Sequence, residues 1–356
     1  MLIALEKQIW SKCILPYNKH LKIKEIIKTI DLASLQICII LNKKKQLLGT
    51  ITDGDIRRAL LQGIDINSNI DKVINIKPKF TYQTNQIKNN SNIFNSYQLS
   101  HLPILNKNKT IKTLMVREDL VIHLEKENYF FIMAGGKGKR LLPLTKKLPK
   151  PLVKIDNKPI IEHIIENAKK HGFKNFIISV NYLVPEFKKF FNQKKIKQLN
   201  INLEFIEETT PMGTGGSIGM IKRKISKPIV VSNGDIISNI NYSSLLNFHT
   251  QKKSDATMVV NSYVLEHPYG VVKTRGAKIT DIIEKPKNKE NINAGVYVLS
   301  PKIISTLNLD KFINMTNIFL KLIETKKSVF AFPLHESWRD IGNIKDLYKA
   351  KNKKNV

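Results

Sequence analysis

Residues 129–155 read YFFIMAGGKGKRLLPLTKKLPKPLVKI. The apolar run Tyr129–Met133 has the length of a buried strand, and an unbroken run of this kind belongs to a parallel sheet covered on both faces. Ala134, Gly135, Gly136, Lys137 and Gly138 follow at once. A glycine-rich turn directly after such a strand brings backbone N–H groups against phosphate oxygens. Lys139 and Arg140 then add cationic side chains. Lys150 stands between Pro149 and Pro151, whose rings restrict the backbone and aim its ammonium at one point. This stretch predicts an α/β fold with an anion-binding loop where a strand ends.

The same alternation of strands and helices continues from residue 129 onward, which is the mark of a mostly parallel sheet with helices on both faces. Residues 158–171 (KPIIEHIIENAKKH) form an amphipathic helix closed by Gly172, a helix C-terminal glycine. Strands are expected at 175–181 and 202–207, with a helix between them at 183–191. A second glycine-rich element, EETTPMGTGGSI at 207–218, lies between a strand and a helix. Residues 228–235 (PIVVSNGD) are an apolar strand ending in an acidic residue, at the sheet edge where open α/β folds bind ligands. A carboxylate there suits Mg²⁺, which takes one or two protein carboxylates together with substrate phosphates. The plainer role for Asp235, capping the helix expected at 242–248, is weakened by the seven residues between them. A helix is expected at 315–326 and a late strand at 328–334. His163 and His171 fall on a helix with no partner in view and read as packing residues.

Before residue 126 the chain reads as a separate unit. A helix at 21–30 and strands at 36–41 and 47–52 lead into GTITDGDIRR and a helix at 55–61. A weaker copy follows, with strands at 101–105 and 111–116 and a helix starting at 117–120. Two copies about 65 residues apart argue for an internal repeat. Residues 118–128 read as a charged helical connector. The expected division is therefore 1–125 and 126–356.

Composition narrows the classes. The chain has 356 residues, 59 Lys+Arg against 29 Asp+Glu, and a formal charge of +30. The excess is almost all lysine, dispersed among Asn and Ile without an Arg-rich tract or an aromatic–basic platform. It reads as a compositional habit rather than a specific nucleic-acid face. Two cysteines, Cys13 and Cys38, support neither a disulfide framework nor a zinc site. No run has the apolar length of a membrane span, and the first residues lack a secretory pattern. The expectation is a cytoplasmic protein with no membrane partner.

A bare GG-x-G is weak evidence, but the longer string GGKGKRLLPLTKKLPKPL resembles the signature of the sugar-phosphate nucleotidyltransferases, GG-x-G-T-R-L-x-P-x-T followed by P-K-P-L. Lys139 stands where that family usually has threonine. The resemblance implies a Rossmann-like domain that joins a sugar 1-phosphate to a nucleoside triphosphate and releases pyrophosphate. It assigns Gly135, Gly136 and Gly138 to the triphosphate, and Arg140, Lys150 and Asp235 to the reaction. The segment at 211–218 resembles P-L-G-T-A-G-A-L and implies nucleotide contacts from Gly213, Thr214 and Gly215. Tyr269–Val271, Glu284–Pro286 and Asn293–Gly295 match Y-G-V, E-K-P and N-A-G. They imply a sugar-phosphate site with Gly270, Glu284, Lys285, Asn293 and Gly295. WRDIG at 338–342 resembles W-x-D-I-G and makes Asp340 a second Mg²⁺ ligand beside Asp235.

The repeat at the N-terminus resembles a CBS-motif pair, which implies an adenine-nucleotide site using Thr52 and Asp55. In the second copy Val116 and Asp119 take those places, without a hydroxyl. CBS pairs also serve packing alone, and they often associate, which implies a homodimer. The domain order resembles the CBS-fused guanylyltransferases, including those making the glucosamine nucleotide of bacterial legionaminic acid synthesis. That implies GTP and glucosamine 1-phosphate, with mannose or glucose 1-phosphate and CTP or UTP left open. A nucleotide sensor with an inactive transferase half and a basic nucleic-acid binder are the rival readings. No hexapeptide β-helix repeats follow, so no acyltransferase extension is expected.

Overall fold

The computed structural model describes residues 2–33, 35–82, 99–117, 125–307 and 311–351. The chain divides into two compact units, Met1–Leu124 and Glu125–Val356. Arg117 ends a strand where a helix was expected to start; the rest of that start, 118–120 with Asp119, and residues 118–124 of the connector expected at 118–128 lie outside the described residues.

In the smaller unit, helix Ile23–Ala33 buries Ile23, Ile26, Ile27, Ile30 and Ala33, the three- and four-residue spacing of one helical face. Strands Ile37–Leu41 and Leu47–Thr52 pair antiparallel from Ile37↔Thr52 to Ile40↔Gly49, then slip so that Leu41 meets Leu47. Strands His101–Leu105 and Ile111–Arg117 repeat this register from His101↔Val116 to Ile104↔Thr113, with the same slip to Leu105↔Ile111. Every position of the second hairpin follows its counterpart by the same interval. A short strand lies parallel to the first strand of each hairpin, Ile14–Pro16 in one and Thr81–Tyr82 in the other. The two hairpin turns meet at a bridge between Gln46 and Thr110, which are themselves counterparts. Equivalent residues touch only across a local two-fold axis. Leu5, Trp10, Cys13, Ile37, Ile39, Leu114 and Val116 form the core under this axis.

The larger unit is built on a seven-stranded sheet. Its strands are β1 (Lys126–Met133), β2 (Phe173–Val180), β3 (Asn202–Glu207), β4 (Ile229–Asn233), β5 (Ala256–Glu266), β6 (Lys287–Leu299) and β7 (Val329–Pro333). The order is β3-β2-β1-β4-β6-β5-β7. The first four strands are parallel, β6 runs antiparallel to both neighbours, and β7 lies parallel to β5. β1 begins at Lys126, so residues 126–128 are strand where a helical connector was expected. They add to the parallel ladder, and Asn128 is held by a bond from its amide to Pro228 O at 2.7 Å.

Both faces of this sheet are covered, which explains its unbroken apolar runs. Phe130 and Ile132 join the core beneath helix α1 (Ile160–Lys170), whereas Phe131 joins the opposite core with α3 (Met315–Glu324). α1 starts at Ile160 rather than Lys158, because Lys158 and Pro159 form a short strand with Lys154 and Ile155. It ends at Gly172, whose φ of +85° needs no Cβ. Between them in sequence, α2 (Tyr242–Gln251) is tied to the sheet by buried His249. The second glycine-rich element runs into a short 3₁₀ turn, Gly216–Met220, instead of the expected helix. The chain leaves β1 toward β2 and β3, then returns to its other side as β4. That reversal opens a crevice at the C-terminal ends of β1 and β4.

Candidate active site

A cleft of about 390 Å³ occupies this crevice. Gly135, Gly136, Gly138, Lys139, Arg140, Lys150, Gly213, Thr214 and Asp235 all line it, although they come from three separate stretches of chain. Gly138 has a φ of +62°, and a Cβ there would lie 3.0 Å from Lys150 Cβ and from Thr145 Cγ2. Thr145 Oγ1 donates to Gly138 O at 2.8 Å, which locks the turn. The 3₁₀ turn Lys139–Leu141 then carries Arg140 along the cleft. Among the described residues, Arg140 makes no ion pair at contact distance.

The proline-flanked turn Lys150–Leu152 buries Lys150 and leads its Nζ to Asp235 Oδ2 at 2.5 Å. The other oxygen of Asp235, Oδ1, is buried with no hydrogen-bond partner among the described residues. Strand Ile236–Ser238 pairs with Trp338–Asp340 so that Ile236 opposes Asp340. Ile341 N donates to Asp235 O at 3.1 Å. This pairing sets Asp235 and Asp340 side by side. Partial burial raises the pKa of Asp340, and the Asp235 charge adds to the rise. Lys150 and Arg140 oppose it, and Asp346 reinforces it. The helix-cap role belongs to Asn241, whose Oδ1 accepts from Ser244 N at 2.9 Å, so Asp235 is not engaged there.

Two neighbouring carboxylates that repel each other, one with an orphaned buried oxygen, fit a hard divalent cation such as Mg²⁺. Among the described residues no cluster of three or more His, Cys, Asp or Glu could hold a metal. The rest of the coordination would fall to water and ligand phosphates.

The glycines of the second loop have a packing reason as well. A Cβ on Gly213 would lie 2.6 Å from Ile313 O, and one on Gly216 would lie 2.6 Å from Lys311 O. The loop therefore lies flat against residues 311–318. Thr214 Oγ1 accepts from Met315 N at 2.8 Å and so caps α3. Gly215 faces Ile318 and is not on the cleft wall.

The five residues matched to a sugar-phosphate site are not brought onto that wall. Gly270, Glu284 and Lys285 are exposed on an arm made by the outer halves of β5 and β6 and the hairpin Val271–Arg275/Lys278–Ile283. Glu284 folds over Gly270, where a Cβ would lie 2.8 Å from its Oε2. Asn293 accepts from Gly295 N at 2.9 Å and donates to Tyr297 Oη at 2.8 Å. Gly295 (φ +72°) adjoins the cleft through Asn233, whose amide nitrogen would lie 2.7 Å from an added Cβ.

Sequence reading passed over Glu208, Asn233 and Gly342, which also line the cleft. Glu208 is buried, accepts from Met212 N at 3.2 Å and crowds Gly135. Its neighbour Glu207 faces out to Lys188. Nothing in the pair of glutamates tells which one turns inward; the end of β3 decides it. In the smaller unit, Thr52 and Asp55 form a reciprocal cap at helix Asp53–Leu61. Thr52 Oγ1 donates to Asp55 Oδ2 at 2.6 Å and accepts from Asp55 N at 3.2 Å.

A family model described as "Nucleotidyl transferase" matches residues 130–355. A mannose-1-phosphate guanyltransferase of Yarrowia lipolytica is 34% identical over 223 residues, covering 61% of this chain and 61% of the relative. A mannose-1-phosphate guanyltransferase of Saccharomyces cerevisiae is 34% identical over 224 residues, covering 61% and 62%. The chain thus spans about three fifths of the length of these curated relatives. A UDP-glucose pyrophosphorylase structure from Acinetobacter baumanii shares the fold with a TM-score of 0.50 at 19% identity, over 63% of this chain and 92% of that one.

Proposed function

The chain belongs to the nucleotidyl transferase family, and from that premise we propose that it transfers the nucleotidyl group of GTP to a hexose 1-phosphate. A phosphate oxygen of the sugar 1-phosphate attacks the α-phosphorus in line, a P–O bond forms there, and the bond to the β-phosphate breaks to release pyrophosphate. The nucleophile is already an anion, so positioning and charge neutralisation carry the reaction. The observation that supports this is the convergence of Arg140, Lys150 and Asp235 on one cleft, with Asp340 within electrostatic reach of all three. Arg140, unpaired among the described residues, neutralises charge on the triphosphate. Lys150 holds a phosphate on the Asp235 side, and the E-K-P match assigns Lys285, exposed on the arm, to the sugar phosphate. The glycine loop 135–138 gives backbone N–H groups to the triphosphate. Asp235 and Asp340 would hold Mg²⁺, which supplies Lewis-acid charge for the leaving pyrophosphate.

Glu208 favours guanine. Its buried carboxylate has one backbone donor, and guanine presents N1–H and an N2 amino hydrogen side by side. Adenine, cytosine and uracil lack that pair of adjacent donors. Inosine triphosphate differs from GTP only by the 2-amino group. We expect GTP to be preferred over it by roughly tenfold or more in kcat/KM, and Glu208→Gln to erase the preference. Equal rates with the wild-type chain would remove guanine selection by Glu208.

For the sugar, the relatives' names favour mannose 1-phosphate, while the domain order favours glucosamine 1-phosphate in legionaminic acid synthesis. Pyrophosphate release measured with four nucleotides against a panel of sugar 1-phosphates separates these readings. No release with any pair would remove the transferase assignment. The duplicated hairpin with its local two-fold supports a CBS-type pair in the smaller unit, with adenine nucleotide as its ligand and homodimerisation as its second role. A ligand there must take over the bonds that Thr52 and Asp55 now make to each other. Calorimetric titration of the full chain with AMP and ATP tests it, and no heat with either rules out that ligand.

A further inference from the structure

A second and larger cavity, of about 670 Å³, lies against the back of the nucleotide loop. Its apolar floor is Ile303, Ile318 and Leu322, all nearly fully buried. Lys311, Lys321 and Lys327 stand on its rim and are exposed; Lys327 lies within electrostatic reach of Asp255, the partner of Lys302, whereas Lys311 and Lys321 make no ion pair among the described residues. A volume of this size suits a small molecule, and its lining is mixed, with Lys302, Thr306 and Thr325 beside the apolar floor. The three lysines state what else the occupant must carry.

The cavity shares a wall with the cleft. Gly216 and Ile313 line the cavity, whereas Gly213, Thr214 and Phe312 line the cleft. The wall is tightly built: Ile313 N donates to Met212 O at 3.0 Å and Gly215 N to Ile313 O at 2.9 Å. Ile318 on the cavity floor abuts Gly215, and the helix carrying it starts at the residue whose N–H Thr214 receives. A molecule wedged against Ile318 therefore bears on Thr214 through one hydrogen bond and one contact without slack.

We propose that this cavity is a second binding site, for an amphipathic organic anion, and that its occupancy sets the position of the nucleotide loop. The apolar body fills the space over Ile303, Ile318 and Leu322, and the anionic group meets Lys311, Lys321 and Lys327. The binding half stands on the cavity alone; the coupling half rests on the reading of loop 213–215 as a nucleotide site.

The test uses 1-anilinonaphthalene-8-sulfonate with the full chain, and its uncharged relative N-phenyl-1-naphthylamine. We expect saturable binding of one sulfonate per chain, retained at saturating GTP and Mg²⁺, with the uncharged probe roughly tenfold weaker. Lys321→Glu, a surface change, should weaken the sulfonate by a similar factor, and Ile303→Trp should put an indole across the apolar floor and abolish binding. Displacement by GTP, unsaturable binding, or equal affinity in Lys321→Glu would overturn the site. For the coupling, calorimetry of a non-hydrolysable GTP analogue should show a severalfold change in affinity when the probe is bound, and none in Ile303→Trp. Unchanged affinity in the wild-type chain would overturn the coupling. Failure of the analogue to bind at all would instead count against the nucleotide site, with the probe result standing.

Discussion

Arg140 and Asp235 reach the cleft with opposite histories. Among the described residues Asp235 has a cation, Lys150, on one oxygen and no partner on the other, whereas Arg140 makes no ion pair and acts on Asp340 at longer range. Arg140→Ala should leave the fold intact, whereas Asp235→Asn is the gentler change at a carboxylate paired with buried Lys150; each should lower turnover by roughly 10²-fold, as loss of a preorganised charge does. Pyrophosphate release by the purified variants measures this, and near-wild-type rates would take the residue out of the reaction. Asp340 gives a second prediction. Its raised pKa means that the folded chain binds this proton more tightly than the unfolded chain. Its stabilising contribution is therefore present at low pH and lost as pH rises through the raised value. At neutral pH its charge works against the fold, so Asp340→Asn should raise the thermal midpoint of the substrate-free protein while lowering turnover. The gain should shrink on acidification toward the ordinary carboxylate range. A melting series across pH, with and without Mg²⁺, checks the sign; a midpoint lowered by the substitution at neutral pH would refute it.

At the scale of elements, two attachments decide how the cleft walls are held. Thr214 caps α3 from across the loop, and Thr214→Ala should cost about 1 kcal/mol in urea unfolding, typical of a lost cap. Because the same residue lines the cleft, KM for the nucleotide should rise as well. A stability loss with unchanged KM would confine Thr214 to the cap. On the other side of the sheet, His249 joins α2 to β5 and to the residue after β6 through Thr257 Oγ1 and Ser300 Oγ, each at 2.9 Å. Burial holds its pKa down to about 4. The unfolded imidazole takes its proton first, so stability is complete above pH 6.5 and declines as pH falls toward 4. His249→Ala should cost about 3 kcal/mol and flatten that acid limb in a denaturation series.

For the whole molecule, the charge of +30 is too evenly spread to define a site but produces a positive field for polyanionic substrates. Raising NaCl from about 0.02 to about 0.2 M shortens the screening distance roughly threefold. We expect kcat/KM for the nucleotide to fall severalfold over that range with kcat nearly constant, because encounter is affected more than chemistry. A salt-independent kcat/KM would assign the lysines no steering role. No helix among the described residues is long and apolar enough to cross a membrane.

What the sequence determined by itself lies in its short-range patterns. Unbroken apolar runs at 129–133 and 229–231 announce strands buried on both faces. The glycines after Met133 announce a turn, and the two hairpins near 40 and 105 announce their own duplication, because side-chain periodicity and backbone freedom are local properties. Tertiary structure alone decided the rest. The sheet order brings Asp235 and Asp340 side by side through the Ile236–Asp340 pairing, and Lys150 meets Asp235 because a turn far away in sequence is buried against β4. Glu208 turns inward and Glu207 outward where β3 ends, and the glycines at 213–216 answer to a backbone at 311–318. These are contacts between segments distant in the chain, and no local preference encodes which distant segment will arrive.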